Sequence, residues 1–194
     1  QKHKISIDGH AGTTGLQIQD RLATRDDLEV LRIDDDLRKN TSAKLDLINT
    51  ADIVVLCLPD DAAKQTVALA HNTKARILDA STAYRIDPNW AYGLPELKPV
   101  QRSAIAAAKY VSNPGCYPTG FLLAVAPLRS NNILKSDSQL SISAVSGYSG
   151  GGHAMTVSYT HLRAHETSLH LVCRLLLEKI VFCWVLGAYL LWCV

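Results

Sequence analysis

No basic run stands out in this 194-residue sequence: 20 lysines and arginines stand against 18 aspartates and glutamates, a formal net charge of +2. Without a basic stripe, electrostatic capture of nucleic acid is excluded as the organising function. An initiator methionine is also missing. The chain opens on Gln1, which implies residues upstream, and "QKHKISID" holds no charged segment followed by an apolar signal core, so nothing directs secretion. Cysteine is scarce: only Cys57 and Cys116 precede residue 170, and the five together have neither metal-ligand nor disulfide-framework spacing. These absences leave a metabolic protein of a reducing cytoplasm, with no metal and no membrane role. Apolar residues are plentiful, at 47% of the chain, which is ample for a core.

Through the first hundred residues short apolar runs alternate with amphipathic ones. "KISID", "LEVLRID", "ADIVVLCLP" and "ARILDAS" read as strands; "TTGLQIQDRLA", "AKLDLIN" and "DDAAKQTVALAHN" read as helices, the last capped by Asp60 or Asp61. Strands alternating with helices predict a parallel sheet with right-handed crossovers, hence a doubly wound α/β domain. Pro88, Gly93, Pro95 and Pro99 break any period in "RIDPNWAYGLPELKP", which reads as a loop. A helix through "RSAIAAAKY" and a strand "YVS" then lead to a cysteine turn. Beyond it, the apolar helix "GFLLAVAPLR" and the alternating strand "QLSISAVS" predict the start of a second domain.

Two stretches carry chemistry. In "DGHAGTTG", Gly9, Gly12 and Gly15 follow the first strand and open the first helix. Glycine lets a backbone turn tightly and approach a pyrophosphate, which sits on free amides at a helix N-terminus. The Gly-x-x-Gly-x-x-Gly spacing departs from the usual dinucleotide fingerprint, and a plain glycine-rich turn is the alternative. Thr13 and Thr14 favour the phosphate reading, since their hydroxyls suit a phosphate as well as an N-cap. Asp34 ends the second strand where an acid would bind the ribose hydroxyls of NAD, yet Arg38 and Lys39 follow closely and suit a 2′-phosphate. The residues alone leave NAD against NADP open.

The second stretch is "VSNPGCYPTG", which sets Cys116 after a Pro-Gly turn and just before a helix beginning near Pro118. A helix N-terminus stabilises a thiolate, and a thiolate is the nucleophilic form of cysteine. The alternative is a buried structural cysteine, as Cys57 inside "VVLCLP" is expected to be. The polar, glycine-rich "SGYSGGG" downstream could supply amides and hydroxyls to an oxyanion or a phosphate.

Taken in order, "IDGHAGTTG", "LCLPDDAA", "DASTAYR", "YGLPEL", "NPGCYPTG" and "AVSGYSGGG" resemble the N-acetyl-γ-glutamyl-phosphate reductases of arginine biosynthesis, in their shorter-chain type. The resemblance covers residues 2 to about 156. It implies an NADP-binding domain over residues 1–112 and, over 113–156, the start of a catalytic α/β domain of the kind found in aspartate-semialdehyde dehydrogenase. In the implied reaction the Cys116 thiolate attacks a small acyl phosphate, phosphate leaves, and NADPH delivers hydride to the thioester to give N-acetylglutamate semialdehyde. Carried over by position, Gly12, Thr13, Thr14 and Gly15 hold the pyrophosphate, Pro59 and Ser81 lie near the nicotinamide, and Arg38 favours NADP. Asn113 and Gly115 shape the cysteine turn; Ser146, Gly147 and Ser149 lie near substrate or cofactor. Arg85 meets the substrate carboxylate or is simply an exposed loop arginine. The resemblance also implies a homo-oligomer and an acid/base histidine further along, which this chain does not supply, so the chain as given is expected to be an incomplete, inactive fragment of the enzyme. Its rivals are an aspartate-semialdehyde dehydrogenase-like reductase and a non-catalytic NADP-binding or membrane-tethered fragment.

After Met155 the sequence leaves that pattern, and His153 is not the absent base. "VSYTHLRAHET" is similar to an in-frame translation of a transposase adapter used in sequencing libraries, and "LVCRLLLEK" to the distal part of the same adapter. Ser168 to His170 fill the place of a sample index. Residues 157–194 are therefore expected to be assembly read-through. His161 and His165 have the i, i+4 spacing of helical zinc ligands but lie inside that stretch. "IVFCWVLGAYLLWCV" looks like a membrane anchor, yet its fifteen residues fall short of the roughly 20 that span a bilayer.

Overall fold

A computed structural model describes residues 2–9, 12–37 and 40–145, together with the backbone of strands at 180–185 and 188–193. The chain divides between Gly115 and Cys116 into two compact units.

The first unit is a parallel sheet covered by helices. Its strands are β1 (His3–Asp8), β2 (Leu28–Leu31), β3 (Ile53–Leu56), β4 (Arg76–Asp79), β5 (Ala91–Tyr92) and β6 (Tyr110–Ser112). They lie in the order β2-β1-β3-β4-β6-β5, and every pairing is parallel. Between them run α1 (Thr13–Ala23), α2 (Thr41–Thr50), α3 (Asp60–Ala70) and α4 (Gln101–Ala107). This is the doubly wound α/β fold that alternating strand and helix patterns predict.

Strand side chains alternate between faces, and the two faces bury separate clusters. Ile5, Ile7 and Val55 pack with Ile18 and Leu22 of α1. Val54, Leu56 and Ile77 pack on the other face with Ile48 of α2 and Ala63 and Ala70 of α3. Residues of β3 serve both clusters, so that strand is covered twice and reads as a continuous apolar run. The chain winds from β1 outward to β2, then returns past β1 to β3. The reversal opens a crevice between the carboxyl ends of β1 and β3, the place where open α/β sheets bind ligands.

Several elements differ from expectation. Helix α2 starts at Thr41, two residues earlier than the apolar period suggests, because the Asn40 side chain accepts the amides of Ser42 and Ala43 at 2.9 and 3.2 Å. Neither Asp60 nor Asp61 caps α3: Pro59 is the capping residue, both acids lie in the first turn, and the Asp60 carboxylate turns to Thr82. The segment read as a loop contains β5, held by Gly93 N–H on the Ser112 carbonyl at 2.8 Å. The Trp90 ring anchors that segment, stacked on Tyr84 at 4.1 Å and tilted against Tyr110 at 5.0 Å. The strand read through "QLSISAVS" is described as β only over β7 (Ser143–Val145).

The second unit opens with α5 (Cys116–Ser130). Pro118 fits the first turn, and Pro127 stands within the helix. Asn132, at φ 56°, takes the left-handed conformation that ends helices, and the amides of Ile133 and Leu134 return to the Leu128 carbonyl. Strand β7 pairs antiparallel with β8 (Ile180–Val185), and β8 with β9 (Ala188–Cys193), the register running from Ile180 opposite Cys193 to Val185 opposite Ala188. Among the described residues no helix is long and apolar enough to cross a membrane.

Candidate functional site

At the carboxyl edge of the first unit's sheet, Gly9, Pro59, Ser81 and Asn113 each stand shortly after a strand end. Gly9 follows β1 at φ 87°, a backbone conformation that side chains rarely adopt. A Cβ there would collide with the Cys57 carbonyl, so only glycine passes between the end of β1 and β3. The turn closes with Gly12 N–H on the Gly9 carbonyl at 3.1 Å, and Gly12 caps α1 without any side-chain cap. The first-turn amides of Thr13, Thr14 and Gly15 thus open an 11-residue helix whose dipole favours an anion there. Asp34 is exposed after β2 and accepts the Leu37 amide on its carbonyl at 2.9 Å. Arg38, Lys39, Ser146, Gly147, Ser149, His153, His161 and His165 lie outside the described residues. Among the described ones no group of three or more His, Cys, Asp or Glu could hold a metal.

Pro59 follows β3 and is exposed. Ser81 follows β4, and its hydroxyl donates to the Asp79 carboxylate at 2.6 Å while its amide donates at 3.2 Å. The same hydroxyl oxygen accepts the Ala83 amide at 3.1 Å, so Ser81 shapes the turn it occupies. Arg85 Nε donates to the Asn113 carbonyl at 3.1 Å and Nη2 to the Ala80 carbonyl at 3.2 Å. The Asn113 amide in turn donates to the Asp79 carbonyl at 2.7 Å. Arg85 and Asp79 therefore join the segment after β4 to the segment after β6, the three residues that precede Cys116. Cys116 itself is the first residue of α5, two positions ahead of the start expected near Pro118, and it is exposed.

Three carboxylates at this edge escape a motif-based reading. Asp8 accepts from Lys44 Nζ at 3.0 and 3.3 Å and from Thr66 Oγ1 at 3.2 Å. Asp60 accepts the Thr82 amide at 3.0 Å and its hydroxyl, and these bonds hold its carboxyl below the usual range. Asp79 is 0% exposed; burial pushes its carboxyl up, against the opposing pull of the Ser81 hydrogen bonds. The one sequence signal for Asp8 and Asp79 is an acid closing an apolar strand.

Burial, with Asp79 and Asp8 adding repulsion, raises the Cys57 thiol to about 11. At pH 8 such a thiol is ionised in only about one molecule in a thousand. Under limiting iodoacetamide at pH 8, peptide mapping is expected to find Cys116 alkylated well before Cys57. Alkylation of Cys57 should rise only as the pH approaches its raised value. Equal labelling of the two at pH 8 would contradict this environment.

Comparison with known proteins agrees with the geometry. A family model described as semialdehyde dehydrogenase, NAD binding domain, matches residues 10–107, and one described as semialdehyde dehydrogenase, dimerisation domain, matches residues 116–170. The chain is 55% identical over 158 residues to an N-acetyl-gamma-glutamyl-phosphate reductase of Trichormus variabilis, a match covering 81% of this chain and 49% of that protein. With the same-named protein of Brucella anthropi it is 54% identical over 156 residues, 79% of this chain and 50% of the relative. It thus spans about half the length of the curated relatives it matches. A probable aspartate-semialdehyde dehydrogenase from Pseudomonas aeruginosa superposes with a TM-score of 0.63 at 16% identity, covering 90% of this chain and 54% of that one. Aspartate semialdehyde dehydrogenase II from Vibrio cholerae gives 0.60 at 16% identity, covering 84% and 52%. At that identity the structural likeness speaks to fold.

Proposed function

The chain belongs to the semialdehyde dehydrogenase family through its NAD-binding domain, and from that premise we propose that it carries the cofactor loop and the nucleophile of an NADP-dependent N-acetyl-γ-glutamyl-phosphate reductase. The observation that supports this reading most is the 55% identity over 158 residues, a length that in a 194-residue chain cannot avoid Cys116. The aspartate-semialdehyde dehydrogenase alternative rests on fold likeness at 16% identity and is the weaker reading.

The residues at the sheet edge fit a nicotinamide dinucleotide. Gly9 lets the backbone leave β1 tightly against the Cys57 carbonyl, and the start of α1, which has no side-chain cap, offers amides to the pyrophosphate. Pro59 and Ser81 stand at the carboxyl ends of neighbouring strands, where the nicotinamide half would lie. The bound cofactor supplies hydride. Cys116 supplies the covalent step: its thiolate attacks the acyl carbon, the carbon–oxygen bond to phosphate breaks, and the leaving group departs as inorganic phosphate. A thioester is then the electrophile that hydride reduces, and the thiolate is released with the aldehyde. The Arg85 bonds to the Asn113 and Ala80 carbonyls use only part of its five-donor fork, leaving capacity for the substrate carboxylate. In keeping with the dimerisation-domain match, a homo-oligomer in a reducing cytoplasm is the proposed setting.

Mixing the protein with N-acetyl-γ-glutamyl phosphate is expected to release phosphate in a burst of about one equivalent and to acylate Cys116, seen by peptide mass spectrometry. Cys116→Ser should abolish both. A burst with β-aspartyl phosphate alone would transfer the assignment to the rival substrate; a burst that survives Cys116→Ser would overturn the covalent step.

We further propose that residues 157–194 are translated adapter. Support comes from two adapter-like segments in one frame, separated by the length of an index. Pairwise similarity extends over 158 residues, while the dimerisation-domain match reaches residue 170. Sequencing intact genomic DNA from the "SGYSGGG" codons across Met155 is expected to leave the adapter codons at once. Finding them in the genome would establish the tail as genuine.

A further inference from the structure

Asp8 presents a carboxylate one residue before the glycine turn, where an anionic pyrophosphate would be repelled by it. Its position is fixed: the Asp8 carbonyl accepts the Cys57 amide at 2.8 Å, and its side chain lies on the sheet face covered by α2 and α3. Lys44, in the first turn of α2, reaches down to it at 3.0 Å, and both side chains are mostly shielded, at 23% and 19% exposure. The pair lines a small pocket with Ser6, Ile33, Ile48 and Thr66. A charge held there is screened by salt less than one at the surface, so it acts on a neighbouring ligand at nearly full strength.

We propose that Lys44 is the counter-charge that makes the mouth of the glycine loop tolerant of an anionic ligand, so that the Asp8–Lys44 pair tunes cofactor affinity. The inference rests on the proposed dinucleotide reading of that loop. A purely structural staple between β1, α2 and α3 predicts that breaking the pair from either side weakens binding alike. Electrostatic tuning predicts opposite signs. Lys44→Met leaves Asp8 without a counter-charge and repulsive, whereas Asp8→Asn removes the repulsion and leaves the ammonium free to attract phosphate.

Titration calorimetry of the whole chain with NADP⁺ at low ionic strength separates the two. The expected results are binding about tenfold weaker in Lys44→Met, about threefold tighter in Asp8→Asn, and near the parent value in the double variant, with the differences only partly reduced in high salt. Lys44→Arg, which keeps the charge, should bind like the parent. Weaker binding by a folded Asp8→Asn protein, judged by circular dichroism, overturns the inference, and this single variant decides even if Lys44→Met does not fold. If the unaltered chain binds no NADP⁺, the dinucleotide reading falls and this inference with it.

Discussion

At the end of β1 the backbone has to leave the sheet through a gap that admits no side chain. Gly9 meets this constraint with a positive φ against the Cys57 carbonyl, and much of the first unit follows from it. The turn that begins there delivers Gly12 to the start of α1, which puts an uncapped helix N-terminus over the crevice between β1 and β3. On the other side of the same strand, Asp8 is pinned with its carboxylate toward α2 and α3. One residue pair, Asp8 and Gly9, thereby sets both the shape of the proposed anion site and the charge proposed to act beside it.

Charged side chains brace both edges of the sheet. At the amino edge, cations close helix ends: Arg76 donates to the Ile105 carbonyl of α4 and to the carbonyl of Ala108, which follows it, and Lys109 to the His71 and Thr73 carbonyls after α3. The carboxyl edge instead holds Asp8, Asp60 and Asp79, in the region proposed for an anionic cofactor. Each carboxylate has its partners: Lys44 and Thr66, Thr82, and Ser81. These bonds tie the segments after β1, β3 and β4 to helices and turns, and Arg85 adds the segment after β6. Satisfied acids therefore brace the loops proposed to meet the ligand.

Local patterns made much of this readable. Helix α1 spans the Thr13–Ala23 run that the apolar period marks, and β6 spans "YVS", because neighbouring residues decide both. The glycine turn after β1 was legible for the same reason, whereas the helix expected to begin near Pro118 begins at Cys116. What escaped depends on distance. Lys44 and Thr66 reach Asp8 across 36 and 58 residues of sequence, and no local spacing announces such a meeting. Asp60 resembles a cap until Thr82, 22 residues away, claims it. Strand β5 is only two residues long and exists because Gly93 and an aromatic stack hold it against β6.

The most direct test of the central claim, that the carboxyl edge of the parallel sheet is a dinucleotide site, is amide hydrogen exchange with and without NADPH. Protection is expected in peptides covering the start of α1, Pro59 to Ala63, and Ser81 to Arg85, while the amino edge around Arg76 and the end of α4 stays unchanged. Protection confined to the amino edge, or none at a saturating cofactor concentration, would contradict the account.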